Sequence, residues 1–169
     1  EKDNKKIKKA KIVANLPYYI TTPIIMKLLE EKLDLETITV MVQKEVADRL
    51  TVIPGNKNTG AITYSVYYYS EAESIIDVNK DSFIPKPEVD SKVIQFKIRK
   101  LPAVETNNEK EMFKIIKNTF TQKRKTLINA LVNTNIVENK QIGLNILNKL
   151  NIKDNIRAEE LTLEDFAKI

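Results

Sequence analysis

The 169-residue chain contains no cysteine and no histidine. Without thiols there is no disulfide framework and no thiolate nucleophile. Without imidazole the commonest general base and the commonest metal ligand are both missing, so no metal site is expected. Glycine is scarce as well. Gly55, Gly60 and Gly143 are the only three, and none forms a phosphate-cradling or nucleotide-binding loop. No apolar run approaches the roughly 20 residues that a membrane helix needs, and no secretory signal is visible. The expected location is the cytoplasm, with no membrane partner. The chain opens on Glu1 rather than methionine, and it is expected to be a fragment that lacks an N-terminal part.

What is present suits an ordered fold. The chain is 42% hydrophobic and 30% charged, enough for a real core. Its length fits one domain, or one with a small appendage. The net charge of +5 is unevenly spread. Residues 1–11 hold six lysines against Glu1 and Asp3; residues 114–125 hold Lys114, Lys117, Lys123, Arg124 and Lys125 with no acid. Residues 154–169 are acidic, with Asp154, Glu159, Glu160, Glu164 and Asp165 against Arg157 and Lys168. Clustered positive charge suits a polyanion such as RNA. It equally suits the solvated face of a lysine-rich protein.

Along the chain, Ile12-Val13-Ala14 reads as a buried strand of a parallel sheet. Thr22 as N-cap and Pro23 as first residue predict a helix bearing Ile24, Ile25, Leu28, Leu29 and Leu33. Residues 37–42 predict a second strand and residues 45–50 a short helix, giving an α/β order. A loop follows over residues 51–60. Residues 61–69, AITYSVYYY, have strand propensity but also one helical face through Ile62, Val66 and Tyr69. Tyr67, Tyr68 and Tyr69 are read as packing residues. Strands are expected at 74–78 and 91–98, the latter antiparallel or near an edge. Two prolines keep 83–87 irregular. After a linker at 101–108 the pattern is helical only, with stripes through Met112–Phe120, Leu127–Leu131 (capped by Thr121) and Ile142–Leu150, then a last helix opened by Thr162. The domains expected are therefore 1–101, α/β, and 102–169, helical.

The strand-to-helix corner Asn15-Leu16-Pro17-Tyr18 carries the chemistry. In open α/β sheets, ligands bind beyond the carboxyl ends of strands. Asn15 offers an acceptor and a donor. Pro17 has no N–H and holds Leu16 extended, so carbonyls here are expected to face the pocket. Tyr18 offers a face for stacking a base. Together they fit a planar ring with an exocyclic amine. Two acceptors, the Asn15 side chain and a main-chain oxygen at Leu16 or Pro17, pull that nitrogen towards tetrahedral and free its lone pair. Positioning and fixed dipoles then replace a base. Phe83 and Pro85–Pro87 are candidates for the opposite wall, with a core role for Phe83 equally open. Gln43, Lys44 and Glu45 are rim or structural residues. Lys123, Arg124 and Lys125, read as opening a helix, are candidate phosphate contacts.

NLPYYIT (15–21) resembles the corresponding motif of the ribosomal RNA adenine N6-dimethyltransferases, the KsgA family. MVQKEVADRL (41–50), FIPKPEVDSKV (83–93), FTQKRKTLINAL (120–131) and RAEELTLEDF (157–166) resemble that family's later blocks in the same order. The resemblance implies a Rossmann-like methyltransferase domain, here its C-terminal half, followed by a small all-helical domain, with 61–69 helical. It implies methyl transfer from S-adenosylmethionine to two adjacent adenines of small-subunit rRNA during ribosome biogenesis. By motif match Asn15 touches cofactor and amine, Leu16 and Pro17 accept through the main chain, and Tyr18 stacks. The family's glycine-rich cofactor loop has no counterpart in this sequence, so the fragment is expected to bind S-adenosylmethionine poorly and not to turn over. A bare strand edge at 12–16 is expected to favour self-association. Two other readings stand beside this one. One is a non-enzymatic rRNA-binding assembly factor, which has no need of the corner motif. The other is a large-subunit rRNA adenine methyltransferase of the antibiotic-resistance type, which tends to carry Ile at the Leu16 position and lacks the FTQKRKTL-like block.

Overall fold

The computed structural model describes residues 9–169; the lysines of residues 1–8 lie outside the described residues. The chain divides into two compact units. The first holds residues up to Thr51 together with Tyr69–Leu101, and the second holds Val52–Tyr68 with Pro102–Ile169. Residues 52–68 therefore pack with the helices, although in sequence they interrupt the α/β part.

The first unit is a mixed four-stranded sheet. Its strands are β1 (Ala10–Asn15), β2 (Leu35–Gln43), β3 (Ser70–Val78) and β4 (Ser91–Ile98) in the order β1-β2-β4-β3. β1 runs parallel to β2, and β4 runs antiparallel to both β2 and β3. Alternation sets the faces. Ile38 pairs with Phe96 and Val40 with Ile94, and all four are buried. On the other face the Gln95 amide donates to Thr39 Oγ1 at 3.0 Å. The strand at 12–14 is not buried as expected: Val13 is 81% exposed. β1 is the outermost strand among the described residues, so it has a neighbour on one side only. At the other edge, β3 carries a register shift between Ser74 and Ile76, a device that blunts edge pairing.

Helix α1 (Tyr18–Glu30) starts five residues earlier than the Thr22-Pro23 signal predicts. Pro23 lies inside it. The carbonyl that loses its partner is that of Tyr19, an exposed residue, where water can serve instead. Thr21, Ile25 and Leu29 repeat every four residues and form its buried stripe. The helix ends before Leu33, because Lys32 takes φ 51°, the left-handed turn usual after a helix. Helix α2 (Lys44–Thr51) buries Ala47 and Leu50.

The second unit is helical: α3 (Ala61–Tyr69), α4 (Glu109–Phe120), α5 (Leu127–Asn133), α6 (Lys140–Lys149) and α7 (Leu163–Lys168). Tyr64 is its pivot. Fully buried, it meets Phe120 at 5.3 Å and Phe166 edge-on at 5.1 Å between ring centroids. Its hydroxyl donates to the Leu161 carbonyl at 2.7 Å. Tyr68 packs edge-on against Phe113. These contacts explain why a strand-prone segment is helical: helical spacing aims Tyr64 and Tyr68 into one core. Gly143 lets α6 approach α5; a Cβ there would lie 2.0 Å from Ile128 Cδ1. No helix among the described residues is long and apolar enough to cross a membrane.

Candidate functional site: an amide-bearing cleft at the end of the parallel strands

β1 ends at Asn15, paired in register with Met41 of β2. The chain then turns through Leu16 and Pro17 into α1. Pro17, at φ −56° and ψ 133°, is the N-cap residue. The loop between β3 and β4 returns past the same end of the sheet. Between corner and loop lies a cleft of about 370 Å³ lined by Asn15, Leu16, Pro17, Tyr18, Met41, Phe83, Pro85 and Pro87. That volume suits a small-molecule or single-base site. The lining is apolar except for the Asn15 amide and the tyrosine hydroxyl, and it contains no carboxylate, lysine or arginine.

The corner's polar atoms are unequal. Asn15 is exposed, and no hydrogen bond engages its amide among the described residues. The Pro17 carbonyl is occupied. It accepts from the Ile20 N–H at 3.1 Å and from the Thr21 hydroxyl at 2.9 Å. The Leu16 carbonyl has only a 3.5 Å contact from the same hydroxyl, at the limit of a hydrogen bond. The expectation that both carbonyls face the pocket is thus corrected. The start of α1 absorbs Pro17's oxygen and leaves Leu16's as the available main-chain acceptor.

Tyr18 is half-buried, and its hydroxyl is hydrogen-bonded to Ser91 Oγ at 2.7 Å. Ser91, 1% exposed, opens β4, directly after the loop that carries Phe83. The pair ties the Tyr18 ring to the strand that anchors the opposite wall. Phe83 lines the cleft and is only half-buried, so its core reading is set aside. Sequence reasoning missed Met41 and Ser91. The β1–β2 register gives the first, and the second lies inside the FIPKPEVDSKV block without any local sign of its long-range partner.

Lys123, Arg124 and Lys125 do not line the cleft; they belong to the second unit. They do not open a helix either. They occupy the turn between α4 and α5, while Thr121 ends α4. The reason is the Leu127 N–H, which donates to the Ile156 carbonyl at 2.7 Å instead of reaching back to Lys123. All three side chains are exposed. Lys123 leans over the Phe120 ring at 5.7 Å and donates to the Thr59 carbonyl at 3.4 Å. Arg124 and Lys125 have no side-chain partner among the described residues.

The comparisons agree with this geometry. The sequence model of the family described as ribosomal RNA adenine dimethylase matches residues 1–169. Ribosomal RNA small subunit methyltransferase A of Bacillus pumilus is 47% identical over 165 residues, 96% of this chain and 56% of its own. The proteins of the same name from Bacillus licheniformis and Clostridioides difficile are 48% and 46% identical, covering 92% and 93% of this chain and 54% of each relative. The chain thus spans about half the length of the curated relatives it matches. A dimethyladenosine transferase from Plasmodium falciparum superposes with a TM-score of 0.76 at 26% identity, over 94% of this chain and 64% of that one. The 23S rRNA methyltransferase ErmE, at 22% identity and a TM-score of 0.67, covers 94% of this chain and 62% of its own, and shares the fold. The architecture is that of a Rossmann-like methyltransferase with a helical unit, and the chain belongs to the ribosomal RNA adenine dimethylase family.

Proposed function

We propose that, within a protein of its relatives' length, this chain supplies the adenine-binding side of an S-adenosylmethionine-dependent enzyme. That enzyme dimethylates the N6 amines of two adjacent adenines in small-subunit rRNA. One observation carries the reading: an amide with no partner among the described residues stands beside a main-chain carbonyl engaged only at 3.5 Å, in an apolar cleft lined by Tyr18 and Phe83. The base enters between Tyr18 and Phe83. Its amine donates one N–H to Asn15 Oδ1 and the other to the Leu16 carbonyl. The Leu16 oxygen is held by the main chain, and with Asn15 Oδ1 beside it the pair favours the pyramidal nitrogen of the transition state over the planar ground state. S-adenosylmethionine, when bound, supplies an electrophilic methyl group. The Asn15 Nδ2 donor at the strand's carboxyl end fits a polar group of that cofactor. The proton released by the methylated nitrogen leaves to solvent through the open cleft. Arg124 and Lys125, with Lys123 partly engaged, form the proposed phosphate contacts of the second unit.

The test is methyl incorporation into immature small subunits by the full-length protein and its Asn15→Ala variant. The expected loss is about 10²–10³-fold, the scale of removing one preorganised polar partner, with the fold retained. An undiminished rate removes Asn15 from the mechanism, and a wild-type protein that binds rRNA without methylating it favours the assembly-factor reading.

A further inference from the structure

Ile84 is fully exposed, at 102% of its reference surface. A lone exposed apolar side chain is ordinary; the placement of this one is not. Its neighbours Phe83 and Pro85 both line the cleft. Phe83 is extended, at φ −120° and ψ 146°. Ile84 therefore projects from the rim into solvent, while Phe83 beside it lines the cleft.

The loop that presents it is stapled. The Lys80 N–H donates to Asp90 Oδ1 at 3.0 Å and joins the loop's ends. The Asp81 N–H donates to Asn79 Oδ1 at 2.8 Å, and Lys86 is ion-paired with Asp81. Pro85 and Pro87 fix two further torsions. Residues 80–90 carry Lys80 and Lys86 against Asp81, Glu88 and Asp90. An acid excess makes this a poor phosphate clamp. What the loop offers RNA is a rigid, desolvation-ready apolar side chain.

We propose that Ile84 is a wedge that enters the base stack of the RNA at the gap left by the adenine drawn into the cleft. The inference rests on the reading that an adenine enters that cleft. A base must leave its stack to reach it. The strand it leaves lies against the cleft's mouth, where Ile84 stands. Apolar wedges of this kind offset the cost of unstacking by filling the vacated step.

The test is binding by the full-length protein and its Ile84→Ala and Ile84→Leu variants. The probes are a small-subunit rRNA hairpin with one target adenine replaced by an abasic ribose, and an unstructured strand of the same sequence. Ile84 supports no core, so the variants fold. The expected result for Ile84→Ala is affinity for the gapped hairpin weakened about tenfold and for the unstructured strand less than about twofold, with Ile84→Leu close to wild type. Equal weakening on both RNAs, or none on the gapped hairpin, overturns the proposal. Binding is read without methylation, so an inactive wild-type protein would count against the function proposed above and leave this measurement decisive.

Discussion

Removing the Tyr18 hydroxyl should harm the fold more than removing the Ser91 hydroxyl, and removing both should harm it less than removing Tyr18's alone. The two oxygens are 2.7 Å apart but their surroundings differ. Ser91 is 1% exposed and has no other side-chain partner among the described residues. Tyr18→Phe therefore strands a buried hydroxyl, a desolvation cost of about 1–3 kcal/mol. Ser91→Ala leaves the Tyr18 hydroxyl half-exposed, where water replaces the lost partner, and costs about 0.5–1.5 kcal/mol. In Tyr18→Phe/Ser91→Ala nothing polar is stranded, so about 1 kcal/mol of the Tyr18→Phe loss should return. Urea unfolding followed by circular dichroism on the four proteins of the cycle resolves these differences. Strictly additive losses, or Ser91→Ala as the worse single change, would refute the reasoning. They would mean that the Tyr18 ring is held by packing and not by this bond.

Other outcomes follow from the same geometry. Arg124→Glu/Lys125→Glu should weaken rRNA binding and lower the slope of log affinity against log salt by about 2; Lys123→Glu, partly engaged with Thr59 and Phe120, should do less, and unchanged slopes would remove the turn from the RNA interface. Gly143→Ala should destabilise the helical unit by about 1–3 kcal/mol through its clash with Ile128, and Ile128→Val, which deletes the clashing methyl, should recover part of that in thermal unfolding. Burial, with Glu159 and Asp165 nearby, pushes the Tyr64 phenol from 10.0 up to about 12. A folded value above the unfolded one means that its contribution is full below pH 10 and lost as pH rises towards 12. The stability gap between wild type and Tyr64→Phe should therefore narrow from about pH 9 to pH 12, and a constant gap in urea unfolding would contradict the assignment.

Local chemistry made much of this legible. The corner at Asn15–Tyr18 and the wall at Phe83–Pro87 were readable because proline and aromatic residues have few structural uses at the carboxyl end of a strand. The start of α1 was misread because Thr22-Pro23 satisfies the capping rules in isolation. The helix instead starts from Pro17, which takes the N-cap position without any side-chain cap hydrogen bond. The turn at 121–125 depends on a single N–H, that of Leu127, which finds Ile156 far along the chain, and no local pattern announces such a partner. Residues 61–69 show the same limit: their helical form rests on Tyr64 reaching Leu161.

The proposed amine acceptor at Leu16 belongs to a tertiary amide, since its carbon is bonded to the proline ring nitrogen. An oxygen on such a tertiary amide is more electron-rich than its secondary counterpart. Genetic substitution at position 16 cannot delete it, because every amino acid brings the same atom. The accessible controls are indirect: Pro17, which sets that atom's basicity, and Thr21, whose hydroxyl decides how much of it stays unclaimed. A screen for altered activity that samples only cleft-lining side chains would overlook Thr21, which touches no substrate and still apportions the oxygens.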